Sequence, residues 1–156
     1  MDSNDTIRHY FDEAIEITYD PHRCIHAAEC IRGLPAVFDN GRRPWIIPSE
    51  ATADEIARVI PRCPSGALHF ERRDGGPNEA PELPTKIVPT SGGPLYVRGL
   101  VRLQSADGNS IFEDLRMALC RCGQSQNKPF CDNSHFDACF DDPGVVPNSI
   151  AWSNDR

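Results

Sequence analysis

Three cysteines and one histidine within sixteen residues are the side chains best suited to chemistry in this chain. They are Cys120, Cys122, Cys131 and His135, and their spacing is C-x-C-x8-C-x3-H. Thiolates and imidazoles are soft to borderline ligands that bind zinc and iron-sulfur clusters, and packing alone rarely concentrates them so closely. The spacing therefore predicts a metal centre.

The local sequence indicates how these donors are held. Cys120 and Cys122 can point toward one metal if the chain between them is extended, because alternate side chains of an extended chain project to the same side. The sequence Asp132-Asn133-Ser134 contains residue types that favour the start of a helix. We therefore expect a helix to begin within these three residues and to carry His135 in its first turn.

The same stretch resembles the CDGSH iron-sulfur family, whose motif is C-x-C-x2-[ST]-x3-P-x-C-D-G-[SAT]-H. The matching residues are Cys120, Cys122, Ser125, Pro129, Cys131, Asp132, Ser134 and His135. Asn133 replaces the glycine of the motif, and asparagine is the non-glycine residue that best tolerates a left-handed backbone. The resemblance implies a 2Fe-2S cluster on Cys120, Cys122, Cys131 and His135. A zinc site with the same ligands is the alternative, although zinc ligands are usually spaced more widely in their first pair.

Three further cysteines lie in the N-terminal half, at Cys24, Cys30 and Cys63. Pro64 follows the last of them. The predicted order of elements is strand, cysteine loop, strand, helix, Cys-Pro turn and strand. Over residues 14–71 this order resembles a single-cluster bacterial-type ferredoxin, including its divergent mono-cluster form, in which a C-x2-C-x2-C run is joined by a distant C-P pair. The resemblance implies a second iron-sulfur cluster on Cys24, Cys30 and Cys63.

The ferredoxin-like pattern lacks its middle cysteine, because Ala27 stands at that position. Ferredoxin relatives without this ligand often carry a 3Fe-4S cluster, which needs three thiolates, and the resemblance implies that cluster here. A 4Fe-4S cluster completed by His26 is one alternative. The other is a ferredoxin-like core whose three reduced cysteines bind no metal.

The predicted elements give an α+β fold with two small domains. A ferredoxin-like domain is predicted at residues 1–73 and a small β-rich CDGSH-type domain at 86–156. The linker is placed at 74–85, where glycine and proline are frequent. Residues 1–10 show no usable periodicity and are predicted to be irregular. Cys139 is expected to pack in the core beneath the cluster, one helical turn after His135.

Individual elements follow from alternation and capping signals. Strands are predicted at 14–19, 36–39, 45–47, 68–71, 94–98, 100–104 and 118–119, with a bend at Gly99. The clearest helix begins at Ser49 or Thr52, with Glu55 in capping-box register, and ends at Pro61. His9, His22 and His69 are assigned to the surface or to packing.

Composition excludes several classes of protein. The chain has 156 residues, a net charge of −7 and 39% hydrophobic residues. It contains no apolar run of the roughly 20 residues that span a bilayer, and its acidic balance disfavours nucleic acid as a partner. The N-terminus lacks a secretory or transit signal, so a bacterial cytoplasm is the expected location. Thiols are kept reduced there, and seven cysteines cannot all form disulfides in one chain.

These observations predict an iron-sulfur protein for electron transfer, cluster transfer or both. No nucleophile-base pair, phosphate-binding loop or catalytic carboxylate pair is recognisable as a motif, so we expect no enzymatic activity. The alternatives are a zinc-stabilised interaction module and an electron-donating accessory subunit of a separate oxidoreductase. The expected partner is a redox or cluster-acceptor protein. The resemblance to CDGSH proteins with one motif implies a strand-swapped homodimer.

Overall fold

The computed structural model describes residues 6–147, and within this range the chain forms two three-stranded antiparallel sheets. Their strands are β1 (Arg8–Phe11), β2 (Ile15–Tyr19), β3 (Leu68–Arg72), β4 (Lys86–Pro89), β5 (Leu95–Gln104) and β6 (Ile111–Leu119). The α-helices of this range are α1 (Glu29–Gly33), α2 (Ala53–Val59) and α3 (Ser134–Asp137). The predicted α+β class is confirmed, and the ferredoxin-like topology of the first domain stays a prediction.

The first sheet carries the larger core of the described residues. Its order is β1-β2-β3, so β2 is central. Ile15 and Ile17 of β2 are fully buried, as expected for alternate residues that share one face of a strand. Residues 1–10 were predicted to be irregular, but β1 occupies Arg8–Phe11. The prediction is wrong for residues 8–10, because β1 is an edge strand with little burial, and such a strand shows no apolar alternation. Residues 1–5 lie outside the described residues.

Helix α2 forms as its capping signal predicts. The Thr52 hydroxyl accepts a hydrogen bond from Glu55 N at 3.3 Å, and the Glu55 carboxylate accepts one from Thr52 N at 2.9 Å. The chain then continues into a 3₁₀ turn at Ile60–Arg62, which leads directly to Cys63. The strands predicted at 36–39 and 45–47 shrink to a single bridge between Phe38 and Ile46.

The second sheet has the order β4-β5-β6 and leads into the C-terminal cysteines. Strand β5 passes through Gly99, where φ is 140° and its pairing register with β6 shifts between Arg98 and Val101. The predicted bend is thus a bulge within one strand. Strand β6 begins earlier than predicted and runs for nine residues. Strand β4 was not predicted, because it is a short, exposed edge strand.

The segment at residues 74–85 is fastened to the second sheet and to strand β3. Glu79 Oε1 accepts a hydrogen bond from Phe70 N at 2.9 Å, and its other oxygen lies 2.9 Å from an Arg116 guanidinium nitrogen. Glu82 lies 2.8 Å from Arg98 of β5. A segment rich in glycine and proline therefore connects the halves through specific ion pairs.

Candidate metal centres

The structure brings together the four C-terminal donors predicted from their spacing. Cys120 Sγ lies 3.8 Å from Cys122 Sγ, and Cys131 Sγ lies 3.5 Å from His135 Nδ1. All four line one narrow cavity. Within residues 6–147, no group of three or more His, Cys, Asp or Glu side chains surrounds the position of a single ion. The donors are thus arranged as two close pairs that face a shared cavity.

A short backbone ladder closes the loop that carries these donors. Cys120 N donates to Pro129 O at 2.8 Å, and Cys131 N donates to Ala118 O at 2.9 Å. These bonds extend the end of β6 and place Cys131 beside Cys120. The loop is fixed by its own backbone, although eight residues separate Cys122 from Cys131.

Backbone N–H groups prepare the first pair for ligation. Gln124 N lies 3.4 Å from Cys122 Sγ. Burial opposes ionisation of Cys120, but hydrogen bonds from the backbone N–H groups of Ser125 and Gly123 outweigh it and lower the pKa of this thiol. Metal binding needs the deprotonated thiolate, so this environment favours the ligating form.

Helix α3 holds the second pair. Asn133 precedes the helix with φ of 72°, so its predicted left-handed conformation is confirmed, and its backbone N lies 3.4 Å from Cys131 Sγ. His135 is buried in the first turn, as predicted. Asp132 Oδ1 accepts a hydrogen bond from Ser134 N at 3.0 Å. The histidine is therefore held in a fixed position beside Cys131.

The three N-terminal cysteines also share one cavity. Cys24 lies in the loop after β2, Cys30 lies in α1, and Cys63 follows the 3₁₀ turn, and all three line this cavity. Ala27 and His26 line the same cavity. His26 Nδ1 is 3.9 Å from Cys24 Sγ, and the histidine is exposed. The structure thus brings together all three predicted cysteines and leaves His26 beside them.

The electrostatics of this second cavity favour a positively charged occupant. Burial, together with the charges of Cys63 and Cys24, raises the pKa of Cys30 to about 11. Burial and the neighbouring Cys24 also raise the pKa of Tyr19. Ionising Cys30 beside the other two sulfurs is therefore unfavourable unless a cation lies close to it. The donor set therefore fits an iron-sulfur cluster, whose irons would supply that charge.

Comparison with known proteins identifies both halves. Residues 10–73 match the family described as "divergent 4Fe-4S mono-cluster", and residues 92–136 match "iron-binding zinc finger CDGSH type". Uncharacterized protein YjdI of Escherichia coli K12 is 36% identical over 66 residues, which cover 42% of this chain and 87% of YjdI. YjdI of E. coli O157:H7 gives the same values. The chain belongs to both families.

Membership in these two families supports an iron-sulfur protein, as the cysteine spacings predicted. Residues 10–73 form the mono-cluster domain and residues 92–136 form the CDGSH domain. No helix among residues 6–147 combines the length and apolar character needed to cross a membrane.

Buried ion pairs join strand β6 of the CDGSH domain to the mono-cluster domain and to the segment that connects the two domains. Arg23, next to Cys24, pairs with Asp114 and donates to Ser65 O at 2.6 Å. Arg116 pairs with Glu79 at 2.9 Å. The side chains of both pairs are less than a tenth exposed. Sequence reasoning missed this interface, because arginine is almost never fully buried unless it is paired and no local signal reveals the partner.

An apolar contact places the two candidate metal centres next to each other. Ile25 and Cys131 belong to one buried cluster, and Ala27 and Tyr96 pack against it. Burial raises the pKa of Tyr96, and the charges of Cys131 and Cys63, one from each centre, raise it further. Tyr96 therefore lies within electrostatic reach of ligands from both sites.

The remaining sequence predictions have mixed outcomes. Cys139 is exposed, so its assignment to the core is wrong. The reason is that α3 ends at Asp137, and a helix of a single turn does not carry Cys139 onto the inner face. His9 lies on the surface beside Glu16, as predicted. His69 Nε2 lies 2.9 Å from Asp114 Oδ1, so His69 takes part in the buried ionic interface.

Proposed function

We propose that this iron-sulfur protein transfers electrons, assembled clusters or both. The CDGSH domain would hold a 2Fe-2S cluster through Cys120, Cys122, Cys131 and His135. The observation that carries this proposal is the arrangement of these donors in two close pairs around one cavity. A two-iron cluster needs two protein ligands for each iron, and the two pairs supply them.

The chain's own residues would hold the cluster in a defined environment. When bound, a 2Fe-2S cluster supplies one-electron redox chemistry, and a histidine ligand raises its potential relative to an all-cysteine site. Burial of Cys131 and His135 limits the access of water to this pair. The backbone N–H groups near Cys120 and Cys131 stabilise thiolate charge.

The mono-cluster domain would hold a second cluster through Cys24, Cys30 and Cys63. Three thiolates with Ala27 at the vacated position fit a 3Fe-4S cluster. His26 also lines the cavity and would complete a 4Fe-4S cluster. The raised pKa of the half-buried Cys30 thiol, which burial and the charges of Cys63 and Cys24 cause, supports the presence of a positively charged group there.

We propose a carrier without enzymatic activity of its own, whose partner is a redox or cluster-acceptor protein. The adjacency of the two centres favours an electron-donating accessory subunit of a separate oxidoreductase as a specific form of this role. Affinity capture of the loaded chain, followed by an assay of electron transfer to the captured oxidoreductase, tests this form. Light scattering of the purified protein tests the proposed homodimer.

Metal and sulfide analysis of the anaerobically purified chain tests the proposal. A 2Fe-2S plus a 3Fe-4S cluster gives about five iron atoms per chain, and a 4Fe-4S cluster in place of the latter gives about six. About two iron atoms per chain would show that only the CDGSH domain binds a cluster. A colourless protein with zinc and no acid-labile sulfide would instead support the zinc-stabilised interaction module.

A further inference from the structure

Asn133, the residue that replaces the motif glycine, connects the two candidate metal centres. Its backbone N lies 3.4 Å from Cys131 Sγ. Its side-chain Nδ2 donates to Ile25 O at 2.9 Å, across 108 positions of the sequence. Ile25 follows Cys24 directly. One residue thus contacts a ligand of the CDGSH site and the loop that carries a ligand of the mono-cluster site.

The loop between Cys24 and Cys30 has an unfavourable backbone. His26 and Ala28 both have positive φ, at 56° and 62°. Residues other than glycine keep such conformations only where the surrounding structure imposes them. The contacts that impose them must therefore lie outside the loop.

The CDGSH domain supplies contacts of this kind. Besides the bond from Asn133, Asn127 Nδ2 donates to His22 O at 2.7 Å. The Ile25 side chain is 8% exposed and belongs to a buried cluster with Ala118 and Cys131. Two asparagine donors and one apolar contact thus hold residues 22–25, where the loop begins, from the CDGSH side.

We propose that Asn133 is a positioning residue that holds the Cys24 loop in its ligating conformation, so that the mono-cluster site depends on the CDGSH domain. The effect of Asn133 on metal binding rests on the proposed second cluster. Its effect on the conformation of the loop does not. Asparagine suits the position because it combines tolerance of positive φ with a side-chain N–H donor. Glycine tolerates the backbone but has no donor, and aspartate has acceptors only.

Hydrogen exchange in the full chain tests the structural part. Asn133→Gly keeps the backbone N–H that faces Cys131 and removes the bond to Ile25 O. Loss of one hydrogen bond predicts roughly fivefold faster exchange of the amides in residues 22–32. Asn133→Asp should give the same increase, because it also lacks the donor. Asn109→Gly, in the turn between β5 and β6, is the matched control and should leave these amides unchanged.

The metal part is tested by the rate at which a chelator removes the second cluster. An oxidised 3Fe-4S cluster is paramagnetic and an oxidised 2Fe-2S cluster is not, so the electron paramagnetic resonance signal of the oxidised protein reports the mono-cluster site alone. We expect this signal to decay roughly fivefold faster in Asn133→Gly than in Asn109→Gly. If the second cluster is 4Fe-4S, the test compares the iron that the chelator leaves bound in Asn133→Gly and in Asn109→Gly. Both chains then also carry Cys120→Ser, which removes the 2Fe-2S cluster.

The two tests separate failure of this inference from failure of the proposed function. Equal exchange of residues 22–32 in Asn133→Gly, Asn133→Asp and the wild type would overturn the positioning role, whatever the metal content. If the chain holds the second cluster and its signal decays at the same rate in Asn133→Gly and Asn109→Gly, the effect of Asn133 on metal binding is refuted. A wild type without iron in the mono-cluster site refutes the second cluster, and hydrogen exchange then still decides the role of Asn133.

Discussion

The two candidate metal centres differ in how far apart in the sequence their proposed ligands lie. The four proposed ligands of the CDGSH site lie within residues 120–135, and backbone bonds within and next to that stretch close its loop. The three proposed ligands of the mono-cluster site span the 40 residues from Cys24 to Cys63, and its first loop is held from the other domain. A site built from one loop is positioned by local geometry. A site built from three elements depends on the packing of the whole molecule.

The largest expected effect separates the two sites by their ligands. Cys120→Ser removes a thiolate of the CDGSH site and keeps the bonds that Asn127 and Asn133 donate to His22 O and Ile25 O, so we expect loss of the 2Fe-2S cluster with retention of the second one. Cys63→Ser should have the opposite result. Iron and sulfide analysis with visible absorption measures both.

Cys139→Ser is the matched control for these substitutions. Cys139 is exposed, and we assign it to neither site. Its replacement should leave iron and sulfide unchanged. If Cys120→Ser and Cys139→Ser retained equal amounts of iron, the assignment of the CDGSH ligands would be wrong.

The next effect concerns the interface on which the mono-cluster site depends. Arg116→Met leaves the Glu79 carboxylate buried without its partner, and breaking a buried pair in this way lowers the free energy of unfolding by about 3–5 kcal/mol. Urea denaturation measures this change. Arg102→Met, which removes an exposed pair with Glu113, is the control and should have little effect. Similar results for both variants would show that the interface contributes little to stability.

A smaller effect is expected from pH, through His69 in the same interface. Burial opposes its charged form, but Asp114 and Glu79 outweigh burial and raise the pKa of His69 to about 9. Arg116 and Arg23 are the cations that face these carboxylates. A raised pKa stabilises the folded state fully below about pH 6.5, and this stabilisation is lost as the pH rises through about 9. The loss is at most about 3 kcal/mol.

Unfolding of the wild type and His69→Gln at several pH values measures this contribution. Stability of the wild type should fall between pH 7 and about 9.5, the window set by the raised pKa, and the variant should show a flatter profile. Parallel profiles would mean that His69 does not titrate within the interface.

The smallest expected effect lies at Asn133 itself. Asn133→Val places a branched side chain at φ of 72°, which should cost about 1–2 kcal/mol of folding free energy. Asn133→Gly avoids this strain and serves as the control for the backbone. Thermal unfolding compares the two variants. Equal stability would indicate that the backbone relaxes to an ordinary conformation when valine is present.

Most of the CDGSH site could be predicted from the sequence because its determinants are local. The spacing identified the four donors, the capping sequence predicted the helix that carries His135, and the residue type predicted the left-handed backbone of Asn133. The capping box of α2 was predicted for the same reason. In each case the decisive contacts join residues a few positions apart, whose relative placement the chain itself restricts.

Tertiary structure alone decided which residues connect the domains. The bond from Asn133 to Ile25 and the pair of Arg23 with Asp114 join residues about a hundred positions apart. Edge strands β1 and β4 were missed because their pairing is set by a neighbouring strand and not by their own apolar pattern. The spacing of residues along the chain limits backbone geometry only over short distances. Which distant donor meets which acceptor depends on how both sheets pack, and so the dependence of one metal centre on the other emerges only in three dimensions.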